Sequence, residues 1–397
     1  MKFKGVDTIM KKVKIVVGAN YGDESKGLVT HQFCKDAIQT HDNTIVIFHN
    51  GSAQRGHTVD YNPDSRHVYH HFGCGTAEGI PTYFADTFWV HPMEYYREYG
   101  ELLRQNILPP ITHCSLKAKV VTPFDMIVDH ATEAYIGWQN GEREHGSCGY
   151  GTWCATDRES FGHKIYTIED YLQAENELEI EKILRLTFYD CLTLMQHIRN
   201  VDLDKVPEYA IYFEDKTRIK NTISHFMDDL KFFMAHNDFF SFDSIYYIFD
   251  NLIFEGAQGL GLDKDCGKEW HTTSSTGLTN PYNMLKDKDD FKAEVCYVTR
   301  SYVTRHGIGD LEEETSKKEI NNNMHDYTNI PNEFQGSLRY AFLETKARDA
   351  RIGNDWSLVK NDKRFYKTLA VTHCNEFPDL NKDSTYISNN PFIVNKK

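Results

Sequence analysis

The sequence lacks the features that would place the protein in a membrane, on nucleic acid or in an oxidising compartment. No stretch approaches the roughly 18–20 consecutive apolar residues of a membrane span, and no apolar run before Lys14 has the length of a signal peptide. The net charge of −14 argues against a broad face for nucleic acid. The nine cysteines are odd in number and contain no C-x-x-C pair, which favours reduced thiols over a disulfide or zinc framework. We therefore expect a soluble, cytoplasmic protein with neither nucleic acid nor a membrane as partner.

Short apolar runs recur along the chain, separated by helical patterns. Buried parallel strands have this composition, and the runs cover residues 15–17, 44–48, 252–254, 294–298 and 368–371. We predict an α/β fold: a central, mostly parallel sheet flanked by helices, a P-loop-like nucleotide-binding architecture with a helical middle region. Residues 1–397 form a single domain in this interpretation. Residues from about 165 to 250 form a helical insertion or cover, because their apolar residues recur at helical spacing. Residues 312–332 are rich in charges and Asn and are expected at the surface, and the tail 379–397 is polar and turn-rich.

A glycine-punctuated loop, Gly18-Ala19-Asn20-Tyr21-Gly22-Asp23-Glu24-Ser25-Lys26-Gly27, follows the first apolar run. Glycines at a strand-to-helix turn let backbone N–H groups approach a phosphate, and Lys26 supplies mobile positive charge. Asp23 would repel a phosphate unless a metal lies between them or the acid takes part in the chemistry. The spacing also departs from the usual P-loop, which has Ser or Thr after the lysine. We interpret this segment as a phosphate loop with a catalytic acid in it; an ordinary acidic helix N-terminus is the alternative.

Three further loops carry polar side chains suited to chemistry. Ligands bind at the carboxyl ends of strands in open parallel sheets, so the loops at Gly18 and Gly256 are the first places to look. Each loop also has an ordinary reading, as a structural histidine, a flexible loop or a buried amide. The three loops are 50–58 with Gln54, Arg55 and His57; 146–152 with Ser147, Cys148 and three glycines; and 254–263 with Gln258, followed by hydroxyl residues at 272–276.

Taken in order, these loops resemble those of adenylosuccinate synthetases. The first resembles that family's Gly-Ala-Gln-Trp-Gly-Asp-Glu-Gly-Lys-Gly, and Gln54-Arg55-Gly56-His57-Thr58 resembles its Asn-Ala-Gly-His-Thr. Residues 254–259 reproduce Phe-Glu-Gly-Ala-Gln-Gly, with Thr273-Ser274-Ser275 at the family's spacing. Thr304-Arg305-His306-Gly307-Ile308-Gly309 looks like Thr-Arg-Val-Gly-x-Gly. The matches span roughly residues 13–380, nearly the whole chain.

The resemblance implies a ligase that joins L-aspartate to C6 of a purine nucleoside monophosphate, IMP in the family, and consumes a nucleoside triphosphate. Asp23 would take the N1 proton, His57 would stabilise the transferring phosphoryl group, Gln258 would hold the O6 oxyanion and Lys26 would neutralise the donor phosphates. Asp23 and the Gly56 carbonyl would bind Mg²⁺. A homodimer is also implied, in which Arg158 is the nearest candidate to reach the partner's site. Nucleotide contacts are implied for Gly22, Glu24, Ser25, Gly27, Gln54, Gly56, Thr58, Ser147, Cys148, Thr273, Arg305, Gly307, Thr372 and Asn375.

Three departures bear on the substrates. Thr372-His373-Cys374-Asn375 stands where family members that use GTP have Thr-Lys-x-Asp, and Asn375 suits adenine better than guanine, so we expect ATP or dATP, or a relaxed choice, as donor. The family's arginine-rich segment for aspartate survives as Gln335-Gly336-Ser337-Leu338-Arg339-Tyr340, leaving Arg339 and Ser337 as candidates. Gln54, Arg55 and Ser25 replace asparagine, alanine and glycine in loops that line the purine and phosphate sites.

Two alternative functions remain open at this point. Similar divergent synthetases in phages act on dGMP and make the succinylated precursor of a 2-aminoadenine deoxynucleotide, with ATP or dATP as donor. In those enzymes serine replaces the catalytic aspartate, whereas Asp23 is retained here, which favours IMP. An inactive nucleotide-binding sensor is the alternative from another class, and the joint presence of Asp23, Lys26, His57 and Gln258 argues against it.

Overall fold

The strands of the main sheet are mostly the apolar runs of the sequence. In the computed structural model, described over residues 10–141, 148–265, 271–324, 336–377 and 383–397, the backbone forms seventeen strands and twelve helices. The strands are β1 Lys11–Gly18, β2 Thr44–Phe48, β3 His57–Asn62, β4 Ser65–Tyr69, β5 Thr82–Phe84, β6 Trp89–Val90, β7 Thr112–Cys114, β8 Lys119–Val120, β9 Asn237–Phe239, β10 Asn251–Gly259, β11 Phe291–Arg300, β12 Val303–Arg305, β13 Glu314–Thr315, β14 Arg339–Ala341, β15 Phe365–Thr372, β16 Tyr386–Ile387 and β17 Asn395–Lys396.

Helices connect most of these strands. They are α1 Lys26–Gln39, α2 Pro92–Arg104, α3 Pro123–Asn140, α4 Thr152–Ser160, α5 Ile168–Leu172, α6 Glu177–Thr193, α7 Pro207–Glu214, α8 Lys216–Ala235, α9 Phe242–Ile248, α10 Thr279–Leu285, α11 Lys317–Asn321 and α12 Thr345–Trp356. Within the described ranges, none of them combines the length and the apolar character needed to traverse a lipid bilayer.

Ten strands form the main sheet, in the order β17-β16-β15-β11-β1-β10-β2-β5-β7-β9. Every neighbouring pair is parallel except β16 and β17. All five predicted strands are present, as β1, β2, β10, β11 and β15. They lie side by side in the middle of the sheet, in a spatial order that differs from their order along the chain. The predicted α/β fold with a mostly parallel sheet is therefore confirmed.

The sheet is covered by apolar side chains on both faces, which explains the nearly continuous apolar runs. Along β1, Val16 belongs to one hydrophobic cluster, whereas Ile15 and Val17 belong to another. Successive side chains of a strand point to opposite faces, so these clusters are the two sides of the sheet. The first cluster includes residues of α1, α3, α6 and α8, and the second includes residues of α9, α10 and α12.

The middle of the chain is helical, as predicted, with α5 to α9 between residues 168 and 248. The stripe predicted on α8 is buried, from Ile219 to Phe233. The segment also contains β9, which pairs with β7 at one edge of the sheet. At the other edge, the polar tail contributes β16 and β17. The polar, turn-rich sequence of the tail did not predict these two short strands.

Candidate active site

The first and fourth glycine-bearing loops meet at the carboxyl edge of the central strands. β1 pairs with β10 on one side and with β11 on the other. The loop after β1, residues 19–25, therefore lies between the end of β10, which carries Gln258, and the end of β11, which carries Arg300. This is the edge at which open parallel sheets bind ligands.

The buried side chain of Glu24 stabilises the fold of the first loop through hydrogen bonds to its backbone. Its carboxylate Oε1 accepts hydrogen bonds from the backbone N–H groups of Asn20 at 3.0 Å and Gly22 at 2.9 Å. Gly18 leaves room for it, because a Cβ there would lie 2.6 Å from Glu24 Oε2. Glu24 is only 3% exposed, so the structure gives it a supporting role in the loop; the predicted contact with a nucleotide stays a prediction.

Lys26 begins α1 and is buried beside this carboxylate. Its Nζ donates to the Gly22 carbonyl and lies 3.7 Å from Glu24 Oε2. Burial lowers the pKa of Lys26 and raises the pKa of Glu24, and each is offset in part by the charge of the other. A phosphate near Lys26 would favour the charged ammonium form. Ser25, at the N-cap of α1, has the left-handed angles φ 66° and ψ 38°.

The fourth loop packs directly against the first. A Cβ on Gly259 would lie 2.5 Å from the Asn20 carbonyl, and a Cβ on Gly22 would lie 3.0 Å from the side-chain Oε1 of Gln258. The Gly261 N–H donates to the same Asn20 carbonyl at 2.6 Å. Gln258 itself is left-handed, with φ 62°. The glycines thus bring the Gln258 amide next to the residue that precedes Asp23.

His57 is buried against the carboxylate of Glu255, a residue that the sequence did not single out for the site. Its Nδ1 forms a hydrogen bond with Glu255 Oε1, and Glu255 Oε2 accepts from the Cys74 N–H at 3.0 Å. Burial lowers the pKa of His57 to about 4. Burial alone would raise the pKa of Glu255, but the hydrogen bond from His57 and nearby positive charges bring it below its ordinary value. A neutral His57 therefore donates from Nδ1, and Nε2 is the nitrogen left for a ligand.

Arg55 lies behind this pair as a buried cation. It is 2% exposed, its guanidinium carbon lies 3.6 Å from the centre of the Phe48 ring, and Nη2 donates to the Glu255 carbonyl at 2.7 Å. Its charge is one of the groups that lower the pKa of Glu255. Gly27 allows α1 to approach closely, because a Cβ there would lie 3.0 Å from His57 Cβ.

The second loop also contacts the third and the fourth. The Asn50 side chain accepts from the Ala257 N–H at 2.9 Å and donates to the Ala257 carbonyl at 3.0 Å. Gln54 Oε1 accepts from the Thr152 hydroxyl at 3.4 Å. Cys148 is half-buried in the third loop, and Ser147 lies outside the described residues.

The prediction that Arg158 reaches into a partner's site is wrong. Arg158 is 2% exposed, and its Nε and Nη2 bind the two oxygens of buried Asp125 at 2.8 and 3.1 Å. A buried arginine paired in this way is committed to its own chain.

A cavity of about 680 Å³ opens beside the first two loops. Asp23, Lys26 and His57 line one part of it, together with Gly22, Ser25, Gly27, Gly56 and Thr58. Other lining residues come from the ends of β11 and β15 and from the tail: Arg300, Tyr302, Thr372, His373, Asn375, Glu376, Ser388, Asn390, Pro391 and Phe392. Thr372 also ties β15 to the first loop, since its hydroxyl lies 3.2 Å from the Glu24 carbonyl. The volume is in the range of nucleotide-sized sites.

Asp23 is contacted by Arg300, at the end of the neighbouring strand β11, and by His306, which follows β12. Arg300 Nε donates to the Asp23 backbone carbonyl, and His306 Nε2 lies 3.8 Å from Asp23 Oδ2. The side chain of Asp23 is 26% exposed, so a ligand in the cavity has access to it.

The arginines after β11 hold the backbone of their own loop. Arg305 donates to the carbonyls of Ile308 and Asp310, both at 2.7 Å. Arg339, its cross-strand neighbour, donates to Gly309 at 2.7 Å and forms an ion pair with Glu314. The contact of Arg305 with a nucleotide stays a prediction. The contact of Arg339 with aspartate also stays a prediction, and it requires that aspartate displace Glu314 from Arg339.

The remaining predicted contacts are placed as follows. Ser337 is exposed beside β14, Gly307 has φ 69°, and Thr273 is half-buried. The segment that carries Thr273 is folded back by Asp263, whose Oδ2 accepts from the Thr276 N–H at 2.7 Å.

The donor set at the cavity suits a hard cation. Asp23 supplies a carboxylate and Gly56 a backbone carbonyl, both on the cavity wall. Mg²⁺ prefers oxygen ligands and commonly takes only one or two from the protein, with phosphate oxygens and water completing the shell. The residues present therefore fit the predicted Mg²⁺.

Glu255, Arg300, His306 and Glu376 are the site residues that the sequence reasoning left out. Glu255 and His306 belong to the sequence motifs at residues 254–259 and 304–309. Arg300 ends an apolar strand, where a lone charged residue is a usable signal. Glu376 directly follows Asn375 and accepts from the Tyr302 hydroxyl at 2.6 Å.

Comparison with known proteins agrees with this arrangement. A sequence model of the family described as adenylosuccinate synthetase matches residues 15–337. The adenylosuccinate synthetase of Tropheryma whipplei (strain Twist) is 25% identical over 309 residues, which cover 74% of this chain and 63% of that protein. The chain thus spans less than two thirds of the length of this curated relative.

Two solved structures have the same fold. The fully ligated adenylosuccinate synthetase of Plasmodium falciparum aligns with a TM-score of 0.61 at 18% identity, covering 93% of this chain and 78% of that one. The succinoaminodeoxyadenylate synthetase of cyanophage S-2L, bound to dGMP and dATP, aligns with a TM-score of 0.60 at 14% identity, covering 98% and 95%. The family match extends over most of the residues that build the site. The chain belongs to the adenylosuccinate synthetase family.

Proposed function

We propose that the protein is a ligase that joins L-aspartate to C6 of a 6-oxopurine nucleoside monophosphate, through a 6-phosphoryl intermediate formed from a nucleoside triphosphate. The observation that carries the proposal is the meeting of Asp23, Lys26 and His57 on one cavity, with Gln258 packed against the same loop. A general acid–base group, a phosphate-neutralising cation and hydrogen-bond donors are what such a phosphoryl transfer needs.

In the first step, Asp23 accepts the N1 proton of the purine while O6 attacks the γ-phosphorus of the donor. The bond between that phosphorus and the β,γ-bridging oxygen breaks, and the nucleoside diphosphate leaves. The Gln258 amide donates to the developing O6 oxyanion, Lys26 balances the phosphate charge, and His57 contacts the transferring group through Nε2. Mg²⁺, held by Asp23 and the Gly56 carbonyl, would neutralise phosphate charge when bound.

In the second step, the amine of L-aspartate attacks C6, the bond between C6 and O6 breaks, and inorganic phosphate leaves with O6 and takes up the proton that the amine nitrogen loses. Arg339 is the proposed contact for an aspartate carboxylate, because a guanidinium binds carboxylates in bidentate fashion. Its present partner, Glu314, is itself a carboxylate, with Arg339 Nε lying 2.8 Å from Glu314 Oε1.

The donor is proposed to be ATP or dATP. Asn375 is exposed and belongs to the cavity lining, as do Pro391 and Phe392. An asparagine can both donate to and accept from adenine, whereas the guanine edge with its two adjacent donors is best met by a carboxylate.

A homodimer and a cytoplasmic location are also proposed on the family resemblance, and sedimentation of the purified protein tests the dimer.

Phosphate release by the purified protein tests the function. IMP, GMP and dGMP are crossed with GTP, ATP and dATP in the presence of Mg²⁺ and L-aspartate. The proposal requires release that depends on both aspartate and a purine monophosphate, and a loss of about 10²–10⁴ in rate for D23A. Release in no combination would instead support a nucleotide-binding sensor, and normal turnover by D23A would rule out the role of Asp23.

IMP and dGMP are the two candidate acceptors. Retention of Asp23 favours IMP, as in the family. The dGMP alternative is favoured by two departures from the family's motifs, which are Asn375 in the donor segment and the arginine-poor segment at residues 335–340.

A further inference from the structure

Asp23 is flanked by two side chains that come from opposite directions. Gln258 lies at the end of β10, whereas His306 follows β12, which comes directly after β11. β1 lies between β10 and β11 in the sheet. Gln258 reaches the first loop from the strand on one side of β1, with its Oε1 next to Gly22, and His306 reaches it from the segment that follows the strand on the other side, with Nε2 3.8 Å from Asp23 Oδ2.

The loop that carries His306 is held firmly. Arg305 donates to the carbonyls of Ile308 and Asp310, and Arg339 donates to those of Gly307 and Gly309. Four consecutive carbonyls are thus bound by two guanidinium groups. A Cβ on Gly309 would lie 2.2 Å from Arg305 Nη2, so the glycine is needed for this close packing. A side chain on such a supported loop is suited to a selective contact.

Gln258, Asp23 and His306 carry groups that complement the edge of a 6-oxopurine. O6, N1–H and the substituent at C2 follow one another along that edge. If Asp23 accepts from N1–H and Gln258 donates to O6, the C2 substituent comes to lie toward His306. Hypoxanthine has only a hydrogen at this position, whereas guanine has an amino group, which is a donor. An imidazole nitrogen can accept that hydrogen bond.

We propose that His306 reads position 2 of the purine and selects a 2-amino-6-oxopurine nucleotide over its hypoxanthine counterpart. The inference rests on the proposed function for the contact between Asp23 and N1. Valine stands at this position in the motif that the segment resembles, and an apolar side chain cannot accept a hydrogen bond. Asp23 provides the neighbouring acceptor, so the two donors of guanine would each have a partner.

Binding of dGMP and dIMP, measured by calorimetry without triphosphate or aspartate, tests this inference independently of turnover. The wild-type protein is expected to bind dGMP more tightly than dIMP. H306V should weaken binding of dGMP by about 10- to 100-fold and leave dIMP nearly unchanged, because only the amino group loses its partner. H306Q, whose amide oxygen can accept the same hydrogen bond, should keep most of the preference. I308V changes the same loop without changing a hydrogen-bonding group and serves as the control.

The outcomes separate this inference from the proposed function. Equal weakening of dGMP and dIMP in H306V would show that His306 merely holds Asp23, and would overturn the inference. Tighter binding of dIMP than dGMP by the wild-type protein would overturn it as well, even if H306V did not fold. If dGMP is preferred through His306 but no phosphate is released with any donor, the inference stands and the proposed reaction fails.

Discussion

His57 and Glu255, which are 198 residues apart in the chain, are joined by a hydrogen bond in the protein interior. The carboxylate is fully buried and also accepts from the Cys74 N–H and thiol. It therefore fixes the imidazole ring and its tautomer, as a buried carboxylate does for a catalytic histidine in other enzymes. Glu255 is a positioning residue in this arrangement, since it acts through His57 and has no place on the cavity wall.

E255Q should lower the rate of phosphate release by about 10²–10⁴, because the amide no longer enforces donation from Nδ1. It should also destabilise the fold by about 1–3 kcal/mol, since buried groups lose their charged acceptor. Phosphate release and urea unfolding measure the two effects. C74A is the matched control, because it removes a thiol that donates to the same carboxylate but leaves the carboxylate in place. An E255Q enzyme with the activity of C74A would contradict the role of Glu255.

Ser25 stores backbone strain at the start of α1. Its left-handed angles cost a non-glycine residue roughly 1–2 kcal/mol, and glycine avoids this cost. S25G should therefore raise the free energy of unfolding by about 1 kcal/mol. Urea unfolding of S25G and S25A makes the comparison, since alanine removes the hydroxyl but keeps the strain. Equal stability of the two variants would show that the backbone there carries no cost.

The central strands and the loops could be predicted from the sequence, because their signals are local. β2 was predicted with its observed bounds, as a run of apolar residues buried on both faces. The edge strands β9, β16 and β17 have two or three residues each, too few for a periodic pattern to show. Pairing stabilises them, β9 with β7, β16 with β15 and β17 with β16, and pairing with a partner strand leaves no trace in the local sequence.

The candidate site divides in the same way. Asp23, Lys26 and His57 stand in glycine-punctuated loops, and the structure brings them to one cavity. Their partners are distant in the chain, as Arg300 is from Asp23 and Glu255 is from His57. Arg158 was misjudged because its sequence neighbourhood gives no sign of Asp125, which lies 33 positions earlier and takes up its charge in the interior. A cation is expected at the surface unless its partner is known.

N375D should shift the donor preference toward GTP. A carboxylate at position 375 would accept from both the N1–H and the 2-amino group of guanine and would offer adenine no donor. The ratio of kcat/KM for GTP to that for ATP should rise about tenfold or more. N390D adds the same charge to another residue of the cavity wall and should leave the ratio nearly unchanged. A similar shift in both variants would mean that charge alone, without base recognition, explains the effect.

E314Q should lower the KM for L-aspartate. The variant weakens the ion pair that now occupies Arg339, so the guanidinium is available to the substrate. Exposed ion pairs contribute about 0.2–1 kcal/mol, which corresponds to roughly a 1.4- to fivefold change in affinity. E312Q removes the same charge from a nearby exposed residue that makes no ion pair with Arg339, and serves as the control. An unchanged or higher KM in E314Q would remove Arg339 from the aspartate site.

His49 should make the fold less stable as the pH falls. It is fully buried beside Phe254, and burial lowers its pKa from 6.5 to about 3. The unfolded chain therefore binds a proton below about pH 6.5 that the folded chain does not accept until about pH 3. The free energy of unfolding should fall through this window by up to about 1.4 kcal/mol per pH unit from this residue. H49L removes the group, so its stability relative to the wild type should rise steadily from pH 6.5 to pH 4 in urea unfolding. H271L, at an exposed histidine, should follow the wild type. If the wild type and H49L lose stability in parallel, His49 does not contribute to the acid sensitivity of the fold.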